Sequence, residues 1–90
     1  MMLYDILNRL KKSGRLYSCS ITIYHPGAIG NRRFLFGREI VDFSASGIRF
    51  TGGETGYEEF TVPLEDVLTV ESRGIVVFRK KPRIEKVYPR

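Results

Sequence analysis

Tyr17-Ser18-Cys19-Ser20-Ile21-Thr22-Ile23-Tyr24-His25-Pro26-Gly27 is the stretch that decides the fold. Tyr17, Cys19, Ile21 and Ile23 alternate with Ser18, Ser20 and Thr22. That period of two places alternate side chains on opposite faces of a half-buried strand. Pro26 lacks an amide donor and Gly27 accepts a positive φ, so the strand stops there in a turn. On this phase Tyr17 faces the core, while Tyr24 falls out of step with Ile21 and Ile23 and faces outward.

Upstream, Leu3, Ile6, Leu7 and Leu10 follow the i, i+3, i+4, i+7 spacing of a helix over about residues 2–12. Asp5 lies in its first turn and Arg9, Lys11 and Lys12 near its end, which suits the helix dipole. Ser13-Gly14 then stops it. So short a helix is marginal alone and must dock its apolar stripe on something. Downstream, residues 33–36, 39–43, 48–51, 60–64, 67–71 and 75–79 read as further short strands. They are broken at Gly37, at 44–47, at the glycine run 52–56, at Glu65-Asp66 and at Arg73-Gly74. Ser72-Arg73-Gly74 predicts a tight hairpin, and Pro63 marks an edge or a bend. Short strands with tight turns and no second long helix exclude a parallel βαβ sheet. The expected class is α+β, mostly β: a short N-terminal helix packed on a strongly bent antiparallel sheet or small barrel of five to six strands. Residues 1–80 form that domain, and residues 81–90 form a basic C-terminal arm that Ile84, Val87 and Tyr88 allow to pack back in part.

Charge is sorted along the chain. Residues 1–33 carry Arg9, Lys11, Lys12, Arg15, Arg32 and Arg33 against Asp5, a net of +5. Residues 34–71 have a net of −6, and residues 72–90 a net of +6. Two basic ends around an acidic middle describe a molecule with a positive side able to attract phosphate, or a soluble domain with a positive tail. No apolar run approaches the roughly 20 residues of a membrane span. Asp5, Asn8 and Arg9 interrupt what would be the apolar region of a secretory leader, so the cytoplasm is the expected compartment.

Chemistry-bearing motifs are few. With one histidine, one cysteine and no paired metal-ligand spacing, neither a protein-built metal site nor a cofactor is expected. Cys19 and His25 share a strand phase but stand about 20 Å apart along extended chain, so Cys19 reads as a small core residue. Glu58-Glu59 and Glu65-Asp66 read as solvated turn charges, and no catalytic residue is assigned. The run Thr51 to Gly56 lacks the Lys and helix of a phosphate cradle and reads as a hairpin loop. Most of the six phenylalanines read as core. The loop from His25 to Asn31 is different. Gly27 and Gly30 permit successive amides to point one way as an anion nest, with Arg32 and Arg33 following, though a plain hairpin connection fits equally. Tyr24, beside that loop, is the best candidate to stack on a base.

Several motifs taken together resemble a known family. Leu7-Asn8-Arg9-Leu10-Lys11 with Ser13-Gly14, Ile23 to Asn31, Gly37-Arg38-Glu39-Ile40, and Gly74 to Arg79 keep the order and spacing of the RNA cyclic group end recognition domain. That family is small and largely archaeal, and the likeness spans about residues 3–80. The chain departs from its pattern at Pro26, Ile29 and Asn31, and Glu65-Asp66 stands where the family has a His-Arg pair, so the resemblance is to a divergent member. It implies a non-catalytic RNA-binding module recognising RNA ends or phosphates. The contacts expected are Tyr24, His25, Gly27, Gly30, Asn31, Arg32 and Arg33. The alternative is a protein-interaction module recruiting a partner in RNA processing through an exposed strand edge or the acidic middle.

Overall fold

A computed structural model describes residues 2–52 and 58–80. Helix α1 (Leu3–Lys12) is followed by strands β1 (Ser20–Tyr24), β2 (Arg32–Phe36), β3 (Ile40–Phe43), β4 (Gly47–Gly52), β5 (Glu58–Pro63), β6 (Val67–Ser72) and β7 (Ile75–Arg79). They form two antiparallel sheets, one in the order β2-β1-β6-β7 and the other β3-β4-β5. The α+β, mostly β class is therefore the observed one.

The strand count shows how the sheet bends. One-turn 3₁₀ segments at Gly37–Glu39 and Leu64–Asp66 separate β2 from β3 and β5 from β6. At each corner the chain leaves one sheet and enters the other, as strands do in orthogonal packings. Followed through the corners, the seven strands are five continuous runs. Pro63 ends β5, an edge strand of its sheet, directly before one corner. There its missing amide costs no central ladder bond. At the other corner the Glu39 carboxylate accepts a hydrogen bond from the Phe36 amide at 3.1 Å.

The first strand starts later than its alternation implies. Leu16–Ser18 is a 3₁₀ turn, so Tyr17 is exposed rather than inward. Leu16 takes the core position instead, and the Cys19 thiol donates to the Leu16 carbonyl at 2.9 Å. Burial pushes the Cys19 thiol above its usual pKa, which fits a structural residue. The β6–β7 hairpin is as expected. Arg73 at φ 54° and Gly74 at φ 78° give the two left-handed residues of a type I′ turn.

One buried cluster joins helix and sheets: Leu3, Ile6, Leu7 and Leu10 with Leu16, Cys19, Ile21, Ile23, Leu35, Ile40, Ile48, Phe50, Val62, Val67 and Val70. The apolar stripe of α1 is thus buried as a unit, and Gly14 at φ 75° lets the chain turn away behind it. Leu7 is completely enclosed. Leu7→Ala should cost about 3 kcal/mol, from lost transfer energy plus the cavity left behind. Urea unfolding followed by circular dichroism checks this, and a cost below about 0.5 kcal/mol would contradict the docked helix.

Residues 53–57 of the glycine run and residues 81–90 lie outside the described residues, while Thr51 and Gly52, read as loop, belong to β4 and pair with Glu59 and Glu58. No described helix is long and apolar enough to cross a membrane.

Candidate functional site

The β1–β2 hairpin sets the geometry. Its register pairs Tyr24 with Arg32, Ile23 with Arg33, Thr22 with Phe34, Ile21 with Leu35 and Ser20 with Phe36. Ile21, Ile23 and Leu35 are buried. Period two therefore turns Tyr24, Thr22, Ser20, Arg32, Phe34 and Phe36 to the opposite, outer face of the sheet. There Phe34 is 72% exposed and Phe36 45% exposed. Four of the six phenylalanines do join or pack against the core, namely Phe43, Phe50, Phe60 and Phe78. Phe34 and Phe36 are the exceptions.

The same face continues across the sheet. Thr22 pairs with Thr69 of β6, and Thr69 pairs with Arg79 of β7. One row therefore reads Phe34, Thr22, Thr69, Arg79 across four strands. An open groove of about 530 Å³ lies along it, lined by Thr22, Arg32, Phe34, Leu68, Thr69, Glu71, Arg79 and Lys80. Two small hydroxyl side chains form its floor. Phe34 and Arg32 stand on one side, Arg79 and Lys80 on the other. The Lys80 ammonium also donates to the Glu65 carbonyl oxygen. Arg38 lies 4.8 Å over the Phe36 ring, a cation–π contact at the neighbouring corner. Among the described residues, Glu71 is the one carboxylate lining the groove.

The expected site residues separate into three places. Tyr24 and Arg32 stand together on the outer face. Arg33 points the other way, 4.9 Å over the Phe60 ring, which itself stacks on Phe50 at 5.6 Å. Its charge thus caps an aromatic stack where the two sheets meet. His25, Gly27, Gly30 and Asn31 form the loop beyond the hairpin end, with His25 exposed. That loop closes on itself: the His25 amide donates to Asn31 O at 2.8 Å, Ala28 to His25 O at 3.3 Å and Asn31 to Ala28 O at 2.9 Å. Positive φ at Gly27 (93°), Gly30 (70°) and Asn31 (55°) makes the closure possible. The Ala28 and Asn31 amides are thus committed inside the loop.

The charge sorting also acquires a location. Arg32 from the basic start meets Arg79 and Lys80 from the basic end across the groove. Arg9, Arg15 and Arg73 gather elsewhere, around a cleft beside α1. In the acidic middle, Arg49 on β4 pairs with Asp42 and, at 3.6 Å, with Glu59. Glu58 and Glu59 belong to β5 rather than to a turn. Among the described residues, no group of three or more His, Cys, Asp or Glu side chains is placed to hold a metal ion. No family model, curated protein or solved structure matches the chain.

Proposed function

We propose that this chain is a non-catalytic RNA-binding module that takes a single strand across the outer face of the β2-β1-β6-β7 sheet. The observation that carries the proposal is the row Phe34, Thr22, Thr69, Arg79, with an aromatic ring left open to solvent on one side of a groove and cations on both. Single strands are held in this manner, by bases stacking on rings while a positive groove follows the phosphates. The Thr22 and Thr69 hydroxyls on the floor are suitable partners for a ribose 2′-OH, the group that distinguishes RNA from DNA. Glu71 repels phosphate at its end of the groove, so the backbone runs beside Arg32, Arg79 and Lys80.

The loop from His25 to Asn31 adjoins Tyr24 and Arg32, which makes it the place for a terminal phosphate. The resemblance to the RNA-end family supports this assignment, and the departures at Pro26, Ile29 and Asn31 predict a weaker preference for end chemistry. Tyr24, His25, Gly27, Gly30, Asn31 and Arg32 remain in the site. Phe34, Phe36, Arg79 and Lys80 join it, and Arg33 contributes charge only from behind its stack.

The test is fluorescence anisotropy of a labelled single-stranded RNA of about ten nucleotides, titrated at several salt concentrations. On a single strand each neutralised phosphate contributes about −0.7 to the slope of log affinity against log salt. Arg32→Glu combined with Arg79→Glu should therefore weaken binding and flatten the slope by about 1.4. An unchanged slope, or no binding by the parent protein at low salt, defeats the proposal.

A further inference from the structure

The cleft between α1 and β7 plays no part in RNA binding as proposed. It encloses about 430 Å³ and is lined by Ile6, Leu10, Ile75 and Val77, with Arg9, Arg15 and Arg73 around them. β7 is an edge of its sheet, and Ile75 is 67% exposed. Edge strands are usually guarded by charge or proline against pairing with another chain. The run Ile75-Val76-Val77-Phe78 carries neither, and the charge of β7 stands at its end, in Arg79.

Two further observations bear on what would fit this cleft. Among the described residues, the ion pairs are those of Arg49, so none of the three arginines at the cleft has a carboxylate partner. Ser72, only 6% exposed, lines the same cleft, and its hydroxyl has no hydrogen-bond partner among the described residues. A buried polar group left unsatisfied is uncommon and costs free energy until it is paired.

We propose that the cleft docks an extended, acidic and apolar segment of a partner protein, which adds a strand to β7. Its backbone continues the ladder, its alternate apolar side chains enter against Ile6, Leu10 and Val77, and its carboxylates meet Arg9, Arg15 and Arg73. Strand addition gives affinity through main-chain bonds and specificity through alternate side chains. Charge selects this occupant over the others. The chain's own residues 81–90 carry Lys81, Arg83, Lys86 and Arg90 against Glu85 alone, which the arginines repel. A second copy in a two-fold contact brings the same arginines toward each other. RNA finds no aromatic ring among the described residues of these walls on which to stack.

The experiment titrates the full chain with a fluorescent peptide of about eight residues, alternating valine and glutamate, a length typical of a strand. It should bind, while the same peptide with lysine for glutamate should not. Methylating the amides along one edge of the peptide should abolish binding, and methylating those along the other edge should leave it intact. Arg9→Gln with Arg73→Asn, the latter chosen because asparagine tolerates a positive φ, should weaken the acidic peptide about tenfold. Arg32→Glu, on the RNA face, should leave peptide binding unchanged while weakening RNA. Equal binding of the lysine peptide, or of a peptide copying residues 81–90, would overturn the assignment. So would displacement by single-stranded RNA, or a concentration-dependent dimer that the acidic peptide fails to dissociate.

Discussion

Replacing Gly37 by alanine is expected to destabilise the fold by about 4 kcal/mol or more, beyond the range of ordinary single substitutions. Gly37 begins the corner between β2 and β3, and its amide donates to the Cys19 carbonyl at 2.8 Å. A Cβ added there would lie 1.8 Å from the Leu16 carbonyl oxygen and 2.9 Å from both the Leu16 carbonyl carbon and the Cys19 Sγ. The oxygen and carbon are backbone, and the thiol is held by its own bond to Leu16, so nothing there is a flexible end that swings aside. Alanine has no rotamer through which to escape. The corner must open, giving up the Cys19–Gly37 bond and part of the burial of Leu16 and Cys19. Small domains are stable by only about 5–15 kcal/mol, so this change removes a large fraction of the total. Gly14→Ala is the control. Gly14 has a positive φ of 75° but nothing within 4 Å of an added Cβ. Its replacement should cost only about 1 kcal/mol, the backbone term alone. Urea midpoints for the two variants separate close approach from conformational freedom, and equal costs would mean that the corner yields.

The same corner shows what the sequence made legible. Gly37 is recognisable as a break, and the Gly37 to Ile40 motif belongs to the resemblance. That the break is a contact with Leu16 is not readable, because the two positions meet only when β1 and β2 pair. The helix, the alternating strand at Ile21 and Ile23 and the turn at Arg73-Gly74 were legible for the opposite reason. Each is fixed by residues within one turn or one strand. Tyr17 was misplaced because the alternation ran without interruption into a segment where Leu16 supplies a better core side chain.

Beyond Tyr24, the outer face is marked by phase and not by residue identity. Leu35 is the inward residue of β2, so Phe34 and Phe36 are outward by period alone. Hydrophobicity alone argues for the core, and the period overrides it. Arg33 is the converse case. Its charge argued for solvent, yet it shares the Leu35 phase and spends its guanidinium on Phe60. On this sheet, phase decides direction whatever the polarity of the side chain. Arg33 finds a partner inside the fold in Phe60, and Phe36 has Arg38 over its ring. Phe34 is left open to solvent.

Replacing Tyr24, Phe34 and Phe36 together by alanine should reduce single-stranded RNA affinity by about a hundredfold while leaving the salt slope nearly unchanged. Stacking on one aromatic ring is worth about 1–3 kcal/mol per base. Three independent rings would exceed a hundredfold even at the lower bound, but Phe36 shares its ring with Arg38 at 4.8 Å and need not offer its full value. Phe34 should dominate, since it is the most exposed of the three and stands beside the threonine floor. None of these rings lies in the buried cluster, so the triple variant should unfold near the parent midpoint, and a preserved melting curve is part of the expected result. The slope is the discriminating quantity. Rings carry no charge and release no counterions, so their loss lowers affinity equally at every salt concentration, unlike Arg32→Glu with Arg79→Glu. His25→Ala gives a third pattern. It should change the ratio of affinities for RNAs ending in a cyclic phosphate and in a free hydroxyl, with little effect on an RNA longer than the groove. If the triple variant binds as the parent does while His25→Ala removes binding, the strand is held by the loop alone and the sheet face belongs to another ligand.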